Sequence, residues 1–182
     1  MTDSSTAVLP TSTDVLLIGY GPVGACIAAL LGRYGVNTLV IDRLSEILLI
    51  PRAIALDNEA LRILQMAGLG EDAFERIAIP EVRMHSPWLG QFARANTAGS
   101  IDGHPRLVTF YQPELERALR SKVAEWPNVR FCSGYELVDL RQDTTGVTVV
   151  LKDAAAVLHE VCCNYLVGAD GASSKVRHLI GQ

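Results

Sequence analysis

The sequence lacks several features that would place the protein in other classes. Its apolar runs are too short to span a bilayer, and its first thirteen residues lack the basic and apolar regions of a signal peptide. Acidic side chains outnumber basic ones, 20 to 16, and no basic run occurs. These absences argue against a membrane protein and against a partner made of nucleic acid.

Cysteine is also scarce: the chain has four, Cys26, Cys132, Cys162 and Cys163, and no C-x-x-C pair. No cluster of cysteine and histidine has the spacing of zinc ligands, so we expect no metal site. Free cysteines in apolar runs usually behave as small apolar side chains. We therefore predict free thiols and a reducing, cytoplasmic setting.

One stretch near the start of the 182-residue chain does carry a functional pattern. An apolar run of four residues precedes Gly19, Gly21 and Gly24, which have the spacing G-x-G-x-x-G. A helical pattern follows, and a second apolar run ends on Asp42, 18 residues after Gly24. An acidic residue at this distance is placed to accept hydrogen bonds from a ribose.

Each glycine of this motif has a physical role in binding a dinucleotide. Gly19 permits the tight turn, Gly21 lets the backbone approach a pyrophosphate, and Gly24 allows close packing. The predicted helix runs from about Val23 to Tyr34, and its N-terminal N–H groups and dipole, beside Pro22 and Val23, favour an anion. The stretch therefore predicts a Rossmann-like unit, with a glycine-rich turn in an ordinary β–α–β unit as the alternative.

Further along the chain, the composition divides the sequence into regions. Residues 14–77 and 111–182 carry helix and strand patterns, and residues 1–13 resemble a flexible tail. Residues 78–110 are punctuated by glycine and proline and have no helical period, which predicts an inserted sheet element. Beyond the first helix, helices are predicted at residues 58–67, 73–77 and 112–125, and a final helix with Ser173 as its cap is predicted to run toward Ile180.

The last third of the chain predicts a meander of short antiparallel strands. These strands cover residues 136–140, 147–151 and 158–162, and a separate buried strand covers 165–169. The predicted fold class is therefore α/β: a Rossmann-like domain with a parallel sheet, helices and an antiparallel meander as a crossover. The first part of a second sheet is inserted within it.

Three further motifs accompany the glycine motif in this order. They are PRA followed by DNEALR at 51–62, QPELE at 112–116, and LVGADGASSKVR at 166–177. Together the motifs resemble the single-component FAD-dependent aromatic hydroxylases, the para-hydroxybenzoate hydroxylase-like group. Within this group the chain looks most like the 3-(3-hydroxyphenyl)propionate hydroxylases.

This resemblance implies FAD as cofactor and NAD(P)H as co-substrate, with O₂ and a small phenolic compound as substrates. It implies that Gly19, Gly21 and Gly24 cradle the FAD pyrophosphate. Asp42 would hold the adenosine ribose, and Arg43 would lie beside the adenine. The family usually has Glu where this chain has Asp42, which is one methylene shorter.

The other motifs imply further cofactor contacts. Arg52 and Gln112 would reach the ribityl chain and the inner phosphates. Asp170 and Gly171 would bind FAD and form the approach of NAD(P)H, with Arg177 supporting that loop. Each residue also has a purely structural alternative. Arg52 could be a surface arginine and Gln112 the start of a helix. Asp170 and Gly171 could form a plain turn, and Arg177 could be a solvated helix cation.

The resemblance assigns no catalytic residue, because the family's reaction needs no protein nucleophile. Family members are much longer and continue into the main substrate-binding sheet. We therefore expect an N-terminal FAD-binding portion, with 78–110 as the start of the substrate-binding domain. By itself it would not hydroxylate, and uncovered apolar surface near 80–108 would favour self-association, as in a homo-oligomer, or a partner. A related reductase or epoxidase, or a non-catalytic remnant, are the alternatives.

Overall fold

The computed structural model describes residues 9–182, which form two compact units. One unit comprises the described chain up to Ile47 together with Leu119–Gln182, and the other comprises Leu48–Ala118. Within the described residues, no helix is long and apolar enough to cross a membrane. The prediction of a tail falls mostly on residues 1–8, which lie outside the described residues, and the first strand already begins at Ser12.

The first unit is built on one six-stranded sheet with the order β10-β2-β1-β13-β12-β11. Strands β10, β2, β1 and β13 are parallel, whereas β11, β12 and β13 form the antiparallel meander. This mixture of parallel sheet, helices and meander confirms the predicted α/β fold class. The elements of this unit are β1 (Ser12–Ile18), α1 (Pro22–Arg33), β2 (Thr38–Asp42), β10 (Val129–Ser133), β11 (Glu136–Asp143), β12 (Gly146–Lys152), β13 (Leu158–Gly168) and α4 (Lys175–Leu179).

The second unit contains short strands in three small sheets. Strand β9 lies between β3 and β4, β5 pairs with β6, and β7 pairs with β8. The elements are β3 (Ala55–Asp57), α2 (Asn58–Met66), β4 (Arg76–Ala78), β5 (Glu81–Ser86), β6 (Gly90–Asn96), β7 (Ser100–Ile101), β8 (His104–Pro105) and β9 (Leu107–Phe110). Helix α3 (Gln112–Val123) begins in this unit, and the boundary falls after its residue Ala118.

Strands β1 and β2 form where the sequence is continuously apolar, because a central parallel strand is covered on both faces. Leu16, Leu17 and Val40 are fully buried. Helix α1 presents a buried face of small residues, including Ala25 and Ala28. In the meander, every second residue of β12 is buried, which confirms the alternation seen in the sequence.

Two predicted elements differ from the structure, and the N-cap of the last helix is Ser174 rather than Ser173. The short helix predicted at Ala73–Ile77 is wrong, since residues 76–78 form strand β4, which pairs with β9. The separate strands predicted at 158–162 and 165–169 are one continuous strand, β13, of 11 residues. Its first half pairs with β12 and its second half with β1, so one strand serves both the meander and the parallel sheet.

The inserted sheet element is present, but the bounds of the units differ from those of the predicted domains. Strands β5 to β8 lie outside the six-stranded sheet, as the change of composition near residue 80 predicted. However, the second unit begins at Leu48 and ends at Ala118, because β3 and β4 pair with β9. That residues 78–110 begin a substrate-binding domain stays a prediction.

Candidate functional site

The carboxyl ends of three adjacent strands meet at the glycine motif. Gly19 N–H donates to the carbonyl of Ile41 at the end of β2, over 2.8 Å, and Ala169 N–H donates to the carbonyl of Ile18 over 2.7 Å. Ligands of open α/β sheets bind at this edge of the sheet. The first unit thus brings together the glycines, Asp42 and Asp170.

Two of the three glycines are required by the protein itself. Gly19 has a φ of +101°, and a Cβ there would lie 2.4 Å from the carbonyl oxygen of Ala169. A Cβ on Gly24 would lie 2.0 Å from the carbonyl oxygen of Gly19. The start of α1 therefore packs against the turn more closely than any side chain allows.

Gly21 differs from the other two glycines of the motif. It is the N-cap of α1 with ordinary extended dihedral angles, φ −74° and ψ −170°. No heavy atom of the described chain lies within 4 Å of the position of its missing Cβ. The protein's own packing thus leaves room for a side chain at this position, and what a side chain would fill is open space beside a helix N-terminus.

The N-terminus of α1 has no side-chain cap among the described residues. Pro22 is its first residue and has no N–H to donate, and Val23 beside it is 65% exposed. By contrast, Asp57 caps α2 by accepting from the N–H of Ala60 over 2.8 Å, and Ser174 caps α4. The free first-turn N–H groups of α1 suit an anionic ligand.

The carboxylate of Asp42 ties the glycine turn to the loop after β2. One oxygen, Oδ2, accepts from the N–H of Tyr20 over 2.7 Å, and Oδ1 accepts from the N–H of Leu44 over 2.9 Å. A carboxylate offers about four lone-pair positions, so each oxygen can accept a second hydrogen bond. Arg43 follows Asp42 and is exposed.

Asp170 has a structural role that the sequence did not reveal. Its Oδ1 accepts from the hydroxyl of Ser174 over 2.6 Å, and its Oδ2 accepts from the N–H of Lys175 over 2.6 Å. Gly171 follows with a φ of +83°, and Arg177 donates to the carbonyl of Ala172 over 2.9 Å. The acidic residue of the motif thus fixes the start of α4, and the arginine fixes the loop between them.

The two remaining predicted site residues lie in the second unit and contact each other there. Gln112, which is buried, accepts with its Oε1 from the backbone N–H groups of Arg52 and Ala53, both over 2.9 Å. The side chain of Gln112 thus holds the loop that carries Arg52, which is itself exposed. The two residues are 60 positions apart, so the sequence did not indicate this contact.

Residues 12–182 match the family described as FAD binding domain. The chain is 40% identical over 171 residues to the 3-(3-hydroxy-phenyl)propionate/3-hydroxycinnamic acid hydroxylase of Burkholderia cenocepacia. That match covers 93% of this chain and 31% of the hydroxylase, so the chain spans about a third of the length of this relative.

Two solved structures of monooxygenases are similar in fold to this chain. The crystal structure of p-nitrophenol 4-monooxygenase PnpA from Pseudomonas putida has a TM-score of 0.82 and 25% identity, over 94% of this chain and 44% of that one. The flavin-dependent monooxygenase PieE, solved with FAD and substrate, has a TM-score of 0.75 and 28% identity, over 93% and 32%. The chain therefore belongs to the FAD-binding domain family, and the resemblance to FAD-dependent aromatic hydroxylases that its motifs predicted is confirmed.

Proposed function

We propose that this chain is the FAD-binding part of an NAD(P)H-dependent flavoprotein monooxygenase that hydroxylates a small phenolic compound. The observation that carries the proposal is the N-terminus of α1, where no described side chain caps the helix and Gly21 adjoins open space. The pyrophosphate of FAD would supply the acceptors for the first-turn N–H groups. Gly19 and Gly24 hold the turn in the shape that this requires.

The residues after β2 would hold the adenosine half of the cofactor. Each carboxylate oxygen of Asp42 can accept one more hydrogen bond, which suits the two hydroxyl groups of a ribose. The exposed guanidinium of Arg43 would lie beside the adenine. Because the backbone N–H groups of Tyr20 and Leu44 fix the carboxylate, it is already oriented before a ribose binds.

In the second unit, Arg52 and Gln112 would contact the ribityl chain and the inner phosphates. The carbonyl oxygen of Gln112 is engaged by the loop at 52–53, so its amide N–H groups remain the donors for a ligand. In the first unit, Asp170 and Gly171 would border FAD and the approach of NAD(P)H. The cap of α4 holds this segment in place.

The substrate class comes from the relatives, several of which are named 3-(3-hydroxy-phenyl)propionate/3-hydroxycinnamic acid hydroxylase. When bound, FAD would supply the redox chemistry, with NAD(P)H as reductant and O₂ as oxidant. The residues of this chain would bind and orient the cofactor. Because the chain spans about a third of such a relative, we assign hydroxylation to the whole protein and cofactor binding to this part. We place the whole protein in the cytoplasm.

The test of cofactor binding is Gly21→Val. Valine tolerates the dihedral angles of Gly21, and no described atom blocks its Cβ, so the variant should fold with a loss of at most about 1 kcal/mol. FAD affinity, measured by quenching of flavin fluorescence, should fall by about a hundredfold. The reason is that the new side chain keeps the phosphate away from the N–H groups at the start of α1, whose hydrogen bonds to a charged phosphate contribute about 3 kcal/mol.

The matched control is Gly70→Val, outside the motif. Gly70 also lacks a left-handed φ, and its new Cβ would approach only the end of the Asp72 side chain. This variant should bind FAD like the wild type. A folded Gly21→Val variant with wild-type affinity would show that the glycine motif does not bind the pyrophosphate, and a wild-type chain without affinity for FAD would contradict the whole proposal.

A second experiment separates cofactor binding from hydroxylation. The purified 182-residue chain is supplied with FAD, NADPH or NADH, O₂ and 3-(3-hydroxyphenyl)propionate, and the products are separated by chromatography. We expect no catechol from the chain alone, with any oxidation of NAD(P)H ending in hydrogen peroxide. Stoichiometric catechol would contradict the assignment of hydroxylation to the whole protein.

A further inference from the structure

Arg120, on α3, contacts both loops that border the candidate FAD site in the first unit. Its Nη2 donates to the carbonyl oxygen of Tyr20 over 2.8 Å, and its Nη1 donates to the carbonyl oxygen of Ser45 over 2.9 Å. Tyr20 is the middle residue of G-x-G, and Ser45 lies in the loop after Asp42. One half-buried guanidinium thus joins the glycine turn to the loop after β2.

Tyr20 is held at every polar position of its backbone. Its N–H donates to Asp42 over 2.7 Å, while its carbonyl accepts from Arg120. The residue is 3% exposed, and its ring centre lies 4.5 Å from that of Phe131 and 4.5 Å from the Cζ of Arg120. The guanidinium therefore contacts both the backbone and the aromatic face of this residue, and cation–π attraction adds to the hydrogen bond.

The direction of the Tyr20 carbonyl also sets the direction of the next N–H. The peptide bond between Tyr20 and Gly21 is trans, so the carbonyl of Tyr20 and the N–H of Gly21 point to opposite sides of one rigid plane. When Arg120 holds the carbonyl, the N–H of Gly21 is fixed as well. Gly21 is also the N-cap of α1, and no described heavy atom lies within 4 Å of the position of its missing Cβ.

From this geometry we infer that Arg120 is a positioning residue for FAD binding. It fixes the plane that carries the Gly21 N–H, and it holds the loop after Asp42, so that the pyrophosphate and ribose contacts are arranged before the cofactor arrives. Such preorganisation increases affinity because less freedom is lost on binding. The inference rests on the proposed function, since it concerns the same cofactor site.

The test compares Arg120→Met with Arg120→Lys and with the control Arg117→Met, an exposed arginine on the same helix. Two quantities are measured on the 182-residue chain: the Kd for FAD, and the exchange rate of the Tyr20 amide without FAD, relative to the Leu17 amide in β1. Methionine keeps an unbranched apolar chain in place of the arginine methylenes and removes the charge and the donors. Lysine keeps the charge and can donate to one of the two carbonyls.

For Arg120→Met we expect about a tenfold weaker Kd for FAD, because the glycine turn and the loop after Asp42 must then be ordered when the cofactor binds. Exchange of the Tyr20 amide should rise by about tenfold while exchange of Leu17 stays unchanged. Arg120→Lys should recover part of both effects, and Arg117→Met should match the wild type. If the methionine variant does not fold, the lysine variant should still show both effects in weaker form.

Three outcomes would overturn the inference. The first is wild-type affinity for FAD in Arg120→Met. The second is an equal rise of amide exchange at Tyr20 and Leu17, which would mean that Arg120 only stabilises the fold in general. Weaker FAD binding with unchanged Tyr20 exchange would mean that the charge acts directly on the ligand. The wild-type titration with FAD comes first: if it shows no binding, the proposed function has failed and the inference fails with it.

Discussion

The two units of the chain bury their apolar residues to very different degrees. In the first unit, Leu16 and Leu17 of the central strand are fully buried. In the second unit, Trp88 is 92% exposed and Leu89 is 76% exposed, both at the turn between β5 and β6. The second unit does have a small core, with Leu61 and Phe74 almost fully buried, but its strands are short and separate.

This difference follows from the sheets. A six-stranded sheet with apolar side chains provides a continuous core, and the buried cluster of the first unit reaches from β1 to the meander. A two-stranded sheet such as β5 and β6 is marginally stable in water by itself. The comparison indicates that the first unit is specified by its own contacts, whereas the hairpin presents apolar surface of the kind found at interfaces.

The largest expected effect contrasts one leucine from each unit. Leu17→Ala removes a fully buried side chain from the central strand and should cost about 4 kcal/mol of the free energy of unfolding. Leu89→Ala removes a side chain that is mostly in water and should change the same quantity by less than about 0.5 kcal/mol. Urea unfolding followed by circular dichroism measures both. Equal losses would break the comparison.

The next effect contrasts one glycine from each unit. Gly24→Ala places a Cβ 2.0 Å from the carbonyl oxygen of Gly19, a backbone atom, and should cost about 3 kcal/mol. Gly99→Ala meets no described atom within 4 Å, but its φ of +88° should cost about 1 kcal/mol. Thermal unfolding of the two variants shows which of them loses more stability. A Gly24→Ala chain as stable as the wild type would contradict the close packing described for the glycine turn.

A smaller effect concerns association through the hairpin. We expect the chain to self-associate through Trp88, Leu89 and Phe92, which are all exposed in β6 and the turn before it. The double variant Trp88→Ser, Leu89→Ser should raise the dissociation constant by about tenfold in sedimentation experiments, since buried aromatic anchors dominate such contacts. Tyr165→Ser, which removes the aromatic ring of a 71% exposed residue in the first unit, is the control. A wild-type chain that remains monomeric would show the prediction to be wrong.

The smallest effect separates two neighbouring thiols within the first unit. Burial raises the pKa of Cys163 to about 11, from an ordinary value near 9, whereas Cys162 is exposed. A raised pKa means less thiolate at any given pH, so iodoacetamide at pH 8 should label Cys162 and leave Cys163 unmodified. Because the folded chain keeps this thiol neutral, its contribution to the free energy of unfolding is fully present below pH 9 and is lost as the pH rises towards 11. Both cysteines lie in one tryptic peptide, residues 153–175, so fragmentation of this peptide in the mass spectrometer assigns the label, and equal labelling would contradict the buried position.

The glycine motif and the elements around it could be predicted because their signals are local. The apolar run of β1, the spacing of Gly19, Gly21 and Gly24, and the acid at Asp42 all lie within about thirty residues of sequence. The same holds for the alternation in β12, which depends only on the period of a strand with one buried face.

What the sequence did not reveal depends on distant partners. The carbonyl that Arg120 contacts belongs to Tyr20, 100 residues earlier, and the loop that Gln112 holds is 59 and 60 residues away. Residues 73–77 were predicted as a helix because the pairing of β4 with β9 has no local signature. The polar Asn164 interrupts the apolar pattern between the two predicted strands, so the single strand β13 resembled two strands with a break.

Strand β13 also limits how this sequence can change in evolution. Cys162 and Cys163 lie where the strand is paired on both sides, with β12 and with β1. One inserted residue on either side of them would turn every following side chain to the opposite face, because strand side chains alternate. Within the meander, insertions and deletions should therefore be confined to the turns at residues 144–145 and 153–157, which connect antiparallel neighbours. Among related sequences, we expect variable lengths at those two turns and a constant spacing from Val161 to Asp170.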